Sequence, residues 1–253
     1  MNGNKLSMVR LKNDLNASWA IAKKDVKIYY LTPPTLMFGI LFPLFLFLAF
    51  AVGRNAPVTT LIPGLVSITL LFSTSSIGPA VIPTERRVKT YDRLLSAPIS
   101  SYSIMVGKTL SGFLFGLGIG GIMVIASLLL FGTQIINAPS LILGLVLPAF
   151  CFAMLGIMLA MFPRENPGDI MLMLNFIRLP LIFVSGIFIS IESMPYFGQV
   201  AAIFSPLTYA NDLVRFAFEG KSIYGPVLDS FVLIFFTGAF LAVGRKIESR
   251  FQV

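Results

Sequence analysis

Residues 109–131 read TLSGFLFGLGIGGIMVIASLLLF, twenty-three positions without one charged side chain. A helix needs about 20 apolar residues to cross the hydrocarbon core of a bilayer. Five further stretches of the 253-residue chain have the same character: 34–52, 59–82, 140–162, 170–191 and 226–244. Only 12% of the residues are charged, about half the share a water-soluble domain carries. The pattern predicts an all-α polytopic membrane protein with six transmembrane helices in a single domain over 1–253. A seventh apolar patch, Phe197 to Leu207, is too short to cross, and Pro195 and Pro206 bracket it. It is expected to form re-entrant or interfacial helices within 193–220, before the sixth span. The first apolar run begins only at Pro34, so no secretory leader is expected.

The basic residues set the orientation, because loops on the cytoplasmic side are enriched in Lys and Arg. With six spans, 15 of the 19 fall on one side. They are Lys5, Arg10, Lys12, Lys23, Lys24, Lys27, Arg86, Arg87, Lys89, Arg93, Lys108, Arg164, Arg245, Lys246 and Arg250. Arg54, Arg215 and Lys221 fall on the other, and Arg178 lies inside a span. Both termini are therefore expected in the cytoplasm, in a plasma or inner membrane. The net charge of +8 reads as a topology signal, and no nucleic-acid partner is expected.

Before the first span, Met8, Leu11, Leu15, Trp19, Ala22, Val26 and Tyr29 step by three or four beside a basic face. That spacing predicts an amphipathic interfacial helix over 6–31, lying on the bilayer surface, packed on protein, or both. Pro33 and Pro34 end it.

Several chemistries are excluded. The chain has no histidine and a single cysteine, Cys151, in an apolar run. It therefore offers no His-based triad, no intrachain disulfide and no zinc or iron–sulfur cluster, and no metal site is expected. Gly107-Lys108-Thr109 imitates the end of a phosphate-binding loop, but position 102 is Tyr where that loop needs glycine. Lys108 is read instead as an anchor at the membrane interface. No span holds an acidic pair, so an intramembrane lipid enzyme is a weak alternative. An ATP-independent carrier or channel is a stronger one.

Four groups of residues remain. Gly112, Gly116 and Gly120 form a flat stripe for close helix packing. Ser67, Thr69, Ser73, Thr74, Ser75 and Ser76 give the second span hydroxyls that can bond backward to carbonyls or face a polar path. Arg178 lies ~12 Å into the fifth span, one turn from Asn175. It must snorkel, pair or face a water-filled interior. Ser73, Ser76, Asn175 and Arg178 are the candidate substrate-path residues. The last group is the loop 85–100, ERRVKTYDRLLSAPIS. Val88, Tyr91 and Leu95 share one helical face there, and a short helix with an apolar ridge suits docking into a groove of a soluble partner.

This loop resembles the first cytoplasmic loop of the membrane subunits of type-2 ABC exporters, a family that includes drug, lipid and glycan export permeases. Two further patches carry the resemblance. Ser185-Gly186-Ile187-Phe188 through Met194-Pro195 is similar to the family's fifth-span end. Ser205-Pro206-Leu207-Thr208-Tyr209-Ala210-Asn211-Asp212-Leu213-Val214-Arg215 is similar to its re-entrant helices. The sequence departs from the family at Ile189-Ser190-Ile191-Glu192, where many relatives have an aromatic-proline step. The resemblance implies a permease for a hydrophobic or amphipathic substrate. It also implies a homodimer coupled to a separate P-loop ATPase subunit through Glu85, Arg86, Arg87, Val88, Tyr91, Leu94, Leu95 and Pro98. ATP and Mg would bind that partner, with no cofactor on this chain.

Overall fold

The computed structural model describes residues 3–51 and 58–251. Val52 and Arg54 lie outside them, and of Met8, Arg10, Leu11 and Lys12 only the backbone is described. Every regular element among the described residues is helical. Helix α1 is Gly3–Tyr29. A helical run over 33–51 follows, divided into α2 (Pro33–Leu36), a π turn (Met37–Leu41) and α3 (Phe42–Ala51). Then come α4 (Val58–Arg87), α5 (Thr90–Leu95), α6 (Ser101–Phe131), α7 (Ala138–Ala160) and α8 (Pro167–Val184). A 3-10 turn at Ile191–Ser193 leads into α9 (Tyr196–Ile203), α10 (Pro206–Glu219) and α11 (Pro226–Phe251).

Five helices are long and apolar enough to cross a membrane: α4, α6, α7, α8 and α11. The first predicted span is the divided run. Its π turn closes with the N–H of Phe42 on the carbonyl of Met37. Pro43, next in the chain, has no N–H to give, so the ladder changes register where a donor is missing.

The ends of the other helices correct the sequence boundaries. The second helix runs on to Arg87, five residues past the expected end, despite Pro63, Pro79 and Pro83. The third begins at Ser101, because the Ser100 hydroxyl caps the Ser103 N–H at 3.1 Å. Lys108 therefore lies inside a helix instead of opening one. Asn137 and Asn166 cap α7 and α8 through the N–H groups of Ser140 and Gly168, both at 3.0 Å. The fifth helix stops at Val184, short of the expected Ile191, because the chain turns at Gly186 with φ 79°. Such an angle suits glycine, which has no Cβ to clash.

Helix α4 is the axis of the bundle. Its whole apolar stretch is buried, with α6 and α7 packed along it and α3, α8 and α10 also against it. The glycine stripe of α6 faces it. A Cβ added at Gly116 would lie 1.8 Å from Thr74 Cγ2, at Gly112 2.7 Å from the Thr74 carbonyl, and at Gly120 2.7 Å from Leu70 Cδ2. On the α7 side, a Cβ at Gly156 would lie 2.2 Å from the carbonyl of Ser75. That carbonyl is the one Pro79, four residues on, cannot serve.

The hydroxyls of α4 turn inward on the helix itself. Ser67, Ser73, Thr74 and Ser76 donate to the carbonyls of Pro63, Thr69, Leu70 and Phe72 at 2.6–2.8 Å, and Ser75 donates to that of Leu71. The outer helices turn apolar side chains outward: Ile122, Ile125 and Leu129 on α6, Phe176 and Phe183 on α8, Phe231 and Phe235 on α11. This is the arrangement a bilayer favours, with each backbone satisfied inside its own helix.

Helix α1 lies along α6. It buries Ser18, Ile21, Ala22 and Asp25, which share one face. The approach is close enough that a Cβ at Gly107 would sit 2.7 Å from the Ser18 carbonyl. Leu15, Trp19 and Ile28 stay exposed, Trp19 at 56%. The apolar stripe read from sequence is thus divided, with Ala22 on protein and Leu15 and Trp19 on the outside.

The glycine contacts yield a test. Gly156→Ala should lower stability by about 1–3 kcal/mol through overpacking. Gly118→Ala and Gly121→Ala, where an added Cβ meets nothing within 4 Å, should leave it unchanged or raise it by up to about 1 kcal/mol. Thermal unfolding of the purified variants in detergent measures both.

Candidate functional site

The loop that joins α4 to α6 is fastened on two sides. Lys89 adopts a left-handed backbone, φ 55°, which ends α4 and starts α5 at an angle. This breaks the ridge expected from sequence: Val88 lies in the turn, 56% exposed, while Tyr91 is buried on α5 and Leu95 is half-buried. Arg87, Lys89, Asp92, Arg93 and Pro98 are exposed and Leu94 is half-buried. Tyr91 is therefore an inward-facing attachment. Its hydroxyl donates to Glu248 Oε1 at 3.2 Å and lies 3.7 Å from Met161 Sδ. Burial, and then the Glu248 carboxylate, push this phenol above its ordinary range. It stays a neutral donor.

Arg86 covers the ring of Tyr91, with its guanidinium carbon 5.1 Å from the centroid. It also donates to the carbonyls of Ala160 at 2.9 Å, Met161 at 3.1 Å, and Phe162. Those carbonyls end α7, where a helix leaves acceptors unpaired and carries partial negative charge. Arg86 thus ties the end of α4 to the end of α7. A cleft of about 290 Å³ remains beside these groups, lined by Arg86, Lys89, Tyr91, Asp92, Glu165 and Glu248 among others.

On the other side is a buried ionic cluster. Lys108 on α6, 1% exposed, reaches Asp25 Oδ2 of α1 at 3.1 Å and Glu85 Oε2 of α4 at 2.7 Å. Lys24 of α1, partly exposed, pairs with Asp25 at 3.0 Å and with Glu85. Asp25 and Glu85 are themselves buried. Burial alone would lower the Lys24 ammonium, but the two carboxylates outweigh it and hold it raised. Lys108 is therefore no interfacial anchor. It is the centre of a charge-balanced joint between three helices. Sequence reasoning passed over Asp25, although it falls on the same helical face as Ser18, Ile21 and Ala22. Glu85 also faces this joint, so it is not on the exposed surface of the loop.

A second polar group lies deep in the bundle. Arg178 of α8 is 0% exposed and points at α4. Its guanidinium donates to Ser75 Oγ at 2.7 Å and 3.1 Å, Ser76 Oγ at 2.9 Å, Asn175 Oδ1 at 3.3 Å and the Phe72 carbonyl at 3.4 Å. The Phe72 ring lies 4.7 Å away. Of the path residues expected from sequence, Arg178, Ser76 and Asn175 meet here. Ser73 is buried nearby in sequence, but its hydroxyl is spent on Thr69. Ser75, absent from that set, holds the arginine most closely. Among the described residues, no group of three or more His, Cys, Asp or Glu is placed to hold a metal ion.

A model of the family described as ABC-2 type transporter matches residues 16–218. The chain belongs to this family. The matched range runs from α1 through α10 and includes the ionic joint, the α5 loop and the Arg178 group. The "Inner membrane transport permease YadH" of Escherichia coli K12 is 26% identical over 183 residues, covering 72% of this chain and 71% of that relative. The protein of the same name from Shigella flexneri matches to the same extent. This ABC-2 chain is accordingly a multi-pass membrane protein and a transport subunit.

The joint makes a measurable demand on stability. Lys108→Met leaves two buried carboxylates with only the half-exposed Lys24, and should cost about 3–5 kcal/mol. Asp25→Asn together with Lys108→Met restores charge balance around Glu85 and Lys24 and should recover part of that loss. Thermal unfolding midpoints of the single and double variants check both outcomes.

Proposed function

We propose that this chain is the permease subunit of an ATP-driven exporter that works as a homodimer, each copy docking one separate P-loop ATPase subunit. The observation that carries this reading is the double attachment of the α5 loop. Through Glu85 it is joined to α1 and α6, and through Arg86 and Tyr91 to α7 and α11. A push on that loop is therefore delivered to four helices at once. The exposed part of the loop, Arg87, Val88, Lys89, Asp92, Arg93 and Pro98, is the surface offered to the ATPase. Glu85, Arg86 and Tyr91 hold that surface in place, and half-buried Leu94 and Leu95 support it. ATP and Mg bind the partner, and closure of the partner shifts the permease between two states of access by its different affinity for each.

In this reading six segments cross a plasma or inner membrane, the divided run of α2 and α3 being the first. Both termini lie in the cytoplasm, and α9 and α10 are re-entrant from the outer side. The exposed Leu15 and Trp19 of α1 rest in the headgroup region beside Lys23 and Lys27. The substrate is hydrophobic or amphipathic, a drug-like molecule, a lipid or a lipid-linked glycan, in keeping with the apolar outward faces of α6, α8 and α11. Half-buried Asn175 is the member of the Arg178 group that reaches the surface of α8, and we assign it to the path wall. Ser73, Ser76 and Arg178 back it from α4 and α8.

Affinity-tagged protein taken from its native membrane should bring down a P-loop ATPase. Copurification of none would overturn the reading. Arg87→Glu combined with Arg93→Glu should lower recovery of that ATPase about tenfold or more, as charge reversal at an interface does, while leaving the thermal unfolding midpoint unchanged. Arg178→Leu should cut substrate-stimulated ATPase activity of the reconstituted complex. Full stimulation in a well-folded variant would remove the Arg178 group from the path.

A further inference from the structure

The other end of α11 carries a buried carboxylate that none of these roles uses. Asp229 is fully buried and lies ~28 Å along the helix from Glu248. Neither of its oxygens has a hydrogen-bond partner among the described residues. It faces the carboxyl group of Asp212 on α10. Asp212, also buried, is already engaged. Its Oδ1 and Oδ2 both accept the Ile223 N–H at 2.9 Å, and Oδ2 accepts the Tyr224 N–H at 2.9 Å. Thr208, one turn earlier on the same face of α10, is buried and its hydroxyl is likewise without a partner.

The groups that act on Asp229, Tyr209 and Tyr224 are carboxyls and each other's phenols, while exposed Lys221, two residues before Ile223, is the cation of the adjoining turn and shares a cleft with Glu192 and Arg215. The rings of Tyr209 and Tyr224 lie 5.3 Å apart. Burial pushes both phenols up. Tyr224 and Asp229 add to this at Tyr209, and Asp212 and Asp229 add to it at Tyr224. Helix α7, packed on both α10 and α11, has Cys151 as its one titratable side chain, beside Thr237 of α11. The charges of α4 are at its Glu85–Arg87 end, and Arg178 of α8 is held by the α4 serines. On α10 itself, Arg215 is paired with Glu219 at 2.9 Å.

Two carboxylates facing each other in a buried site cannot both stay ionised. A neutral carboxyl would instead donate to its neighbour and satisfy both. We propose that Asp229 keeps a proton and donates it to Asp212, forming a proton-dependent latch that fastens the start of α11 to α10 and to the Ile223–Tyr224 turn. A metal ion fits the pair less well, because Asp212 already accepts three N–H contacts. The proton comes from solvent and returns to it. As pH rises the proton leaves, two charges remain in one buried site, and this corner of the bundle loosens. The folded chain holds a proton that the unfolded chain does not, so stability falls with rising pH. The latch depends on neither the ATPase nor the cargo, so its failure and the failure of the exporter reading are separate results.

The test uses the full chain in lipid nanodiscs from about pH 5 to about pH 9, reading thermal unfolding and amide hydrogen exchange. For the wild type, the unfolding midpoint should fall as pH rises. Protection of the Ile223 and Tyr224 amides should drop by up to roughly tenfold per pH unit while the folded pair still holds the proton, and level off once it is lost. Asp229→Asn keeps a donor facing Asp212 and should flatten both trends. Equal pH slopes in wild type and Asp229→Asn would overturn the proposal. So would a midpoint that ignores pH and rises with added calcium or magnesium ions, which would make the pair a metal site. Should Asp229→Asn fail to fold, pH-independent protection of the two amides in the wild type would overturn it alone.

Discussion

The burial of α4 on every side is the constraint from which most of the structure follows. A helix buried throughout 62–83 must settle its polar atoms there with protein. Ser67, Ser73, Thr74, Ser75 and Ser76 therefore bond back to the preceding turn, and Arg178 adds to Ser75 and Ser76 without displacing those bonds, since a hydroxyl can donate and accept at once. Neighbours can surround such a helix only if they come close. That explains why glycine faces it from α6 and α7, and why a Cβ at Gly116 or Gly156 would overlap α4 atoms. The same closeness tolerates three prolines, because the carbonyl that Pro79 leaves free at Ser75 is packed against α7 instead of lipid.

Helix α4 also emerges from the bundle carrying two opposite charges side by side, and each is used in a different direction. Glu85 turns toward α1 and α6, where Lys108 and Lys24 meet it and Asp25. Arg86 turns toward α7 and α11, where it serves carbonyls at a helix end and covers Tyr91. Buried ion pairs contribute little net stability over well-packed apolar groups, but losing one member is costly. Such a joint resists partial rearrangement: its helices move together or the charges are stranded. A surface loop mounted on it is held as a rigid handle.

The sequence disclosed what depends on composition and period. Five of the six apolar stretches stand as helices long and apolar enough to cross a membrane, and the glycine stripe faces α4, because a bilayer and a close helix contact each impose a one-dimensional rule. Helix ends were less so. Ser100, Asn137 and Asn166 are ordinary capping types whose effect depends on the turn that follows, and α4 passes its prolines because its neighbours support it. The joint at Lys108 was missed for a different reason. Asp25, Glu85 and Lys108 are far apart in the chain, and each taken singly reads as a surface charge at a membrane boundary. The Val88–Tyr91–Leu95 ridge failed at a single residue, since only the left-handed turn at Lys89 separates two helices that periodicity joins.

The two buried charged groups packed against α4 answer the same problem in different ways. Arg178 has no carboxylate among its bonds. Its charge is spread over a planar fork that five oxygen contacts share, so hydroxyls, an amide and a carbonyl are enough. The joint at Lys108 has compact ammonium groups, which hold charge at a point and need full counter-charges. That difference fits their places. Arg178 binds α8 to α4 through neutral acceptors, so the loss of one leaves the others in place. The Lys108 joint is all-or-none. Helix α4 thus carries an ionic joint at one end and a network of neutral acceptors in its middle.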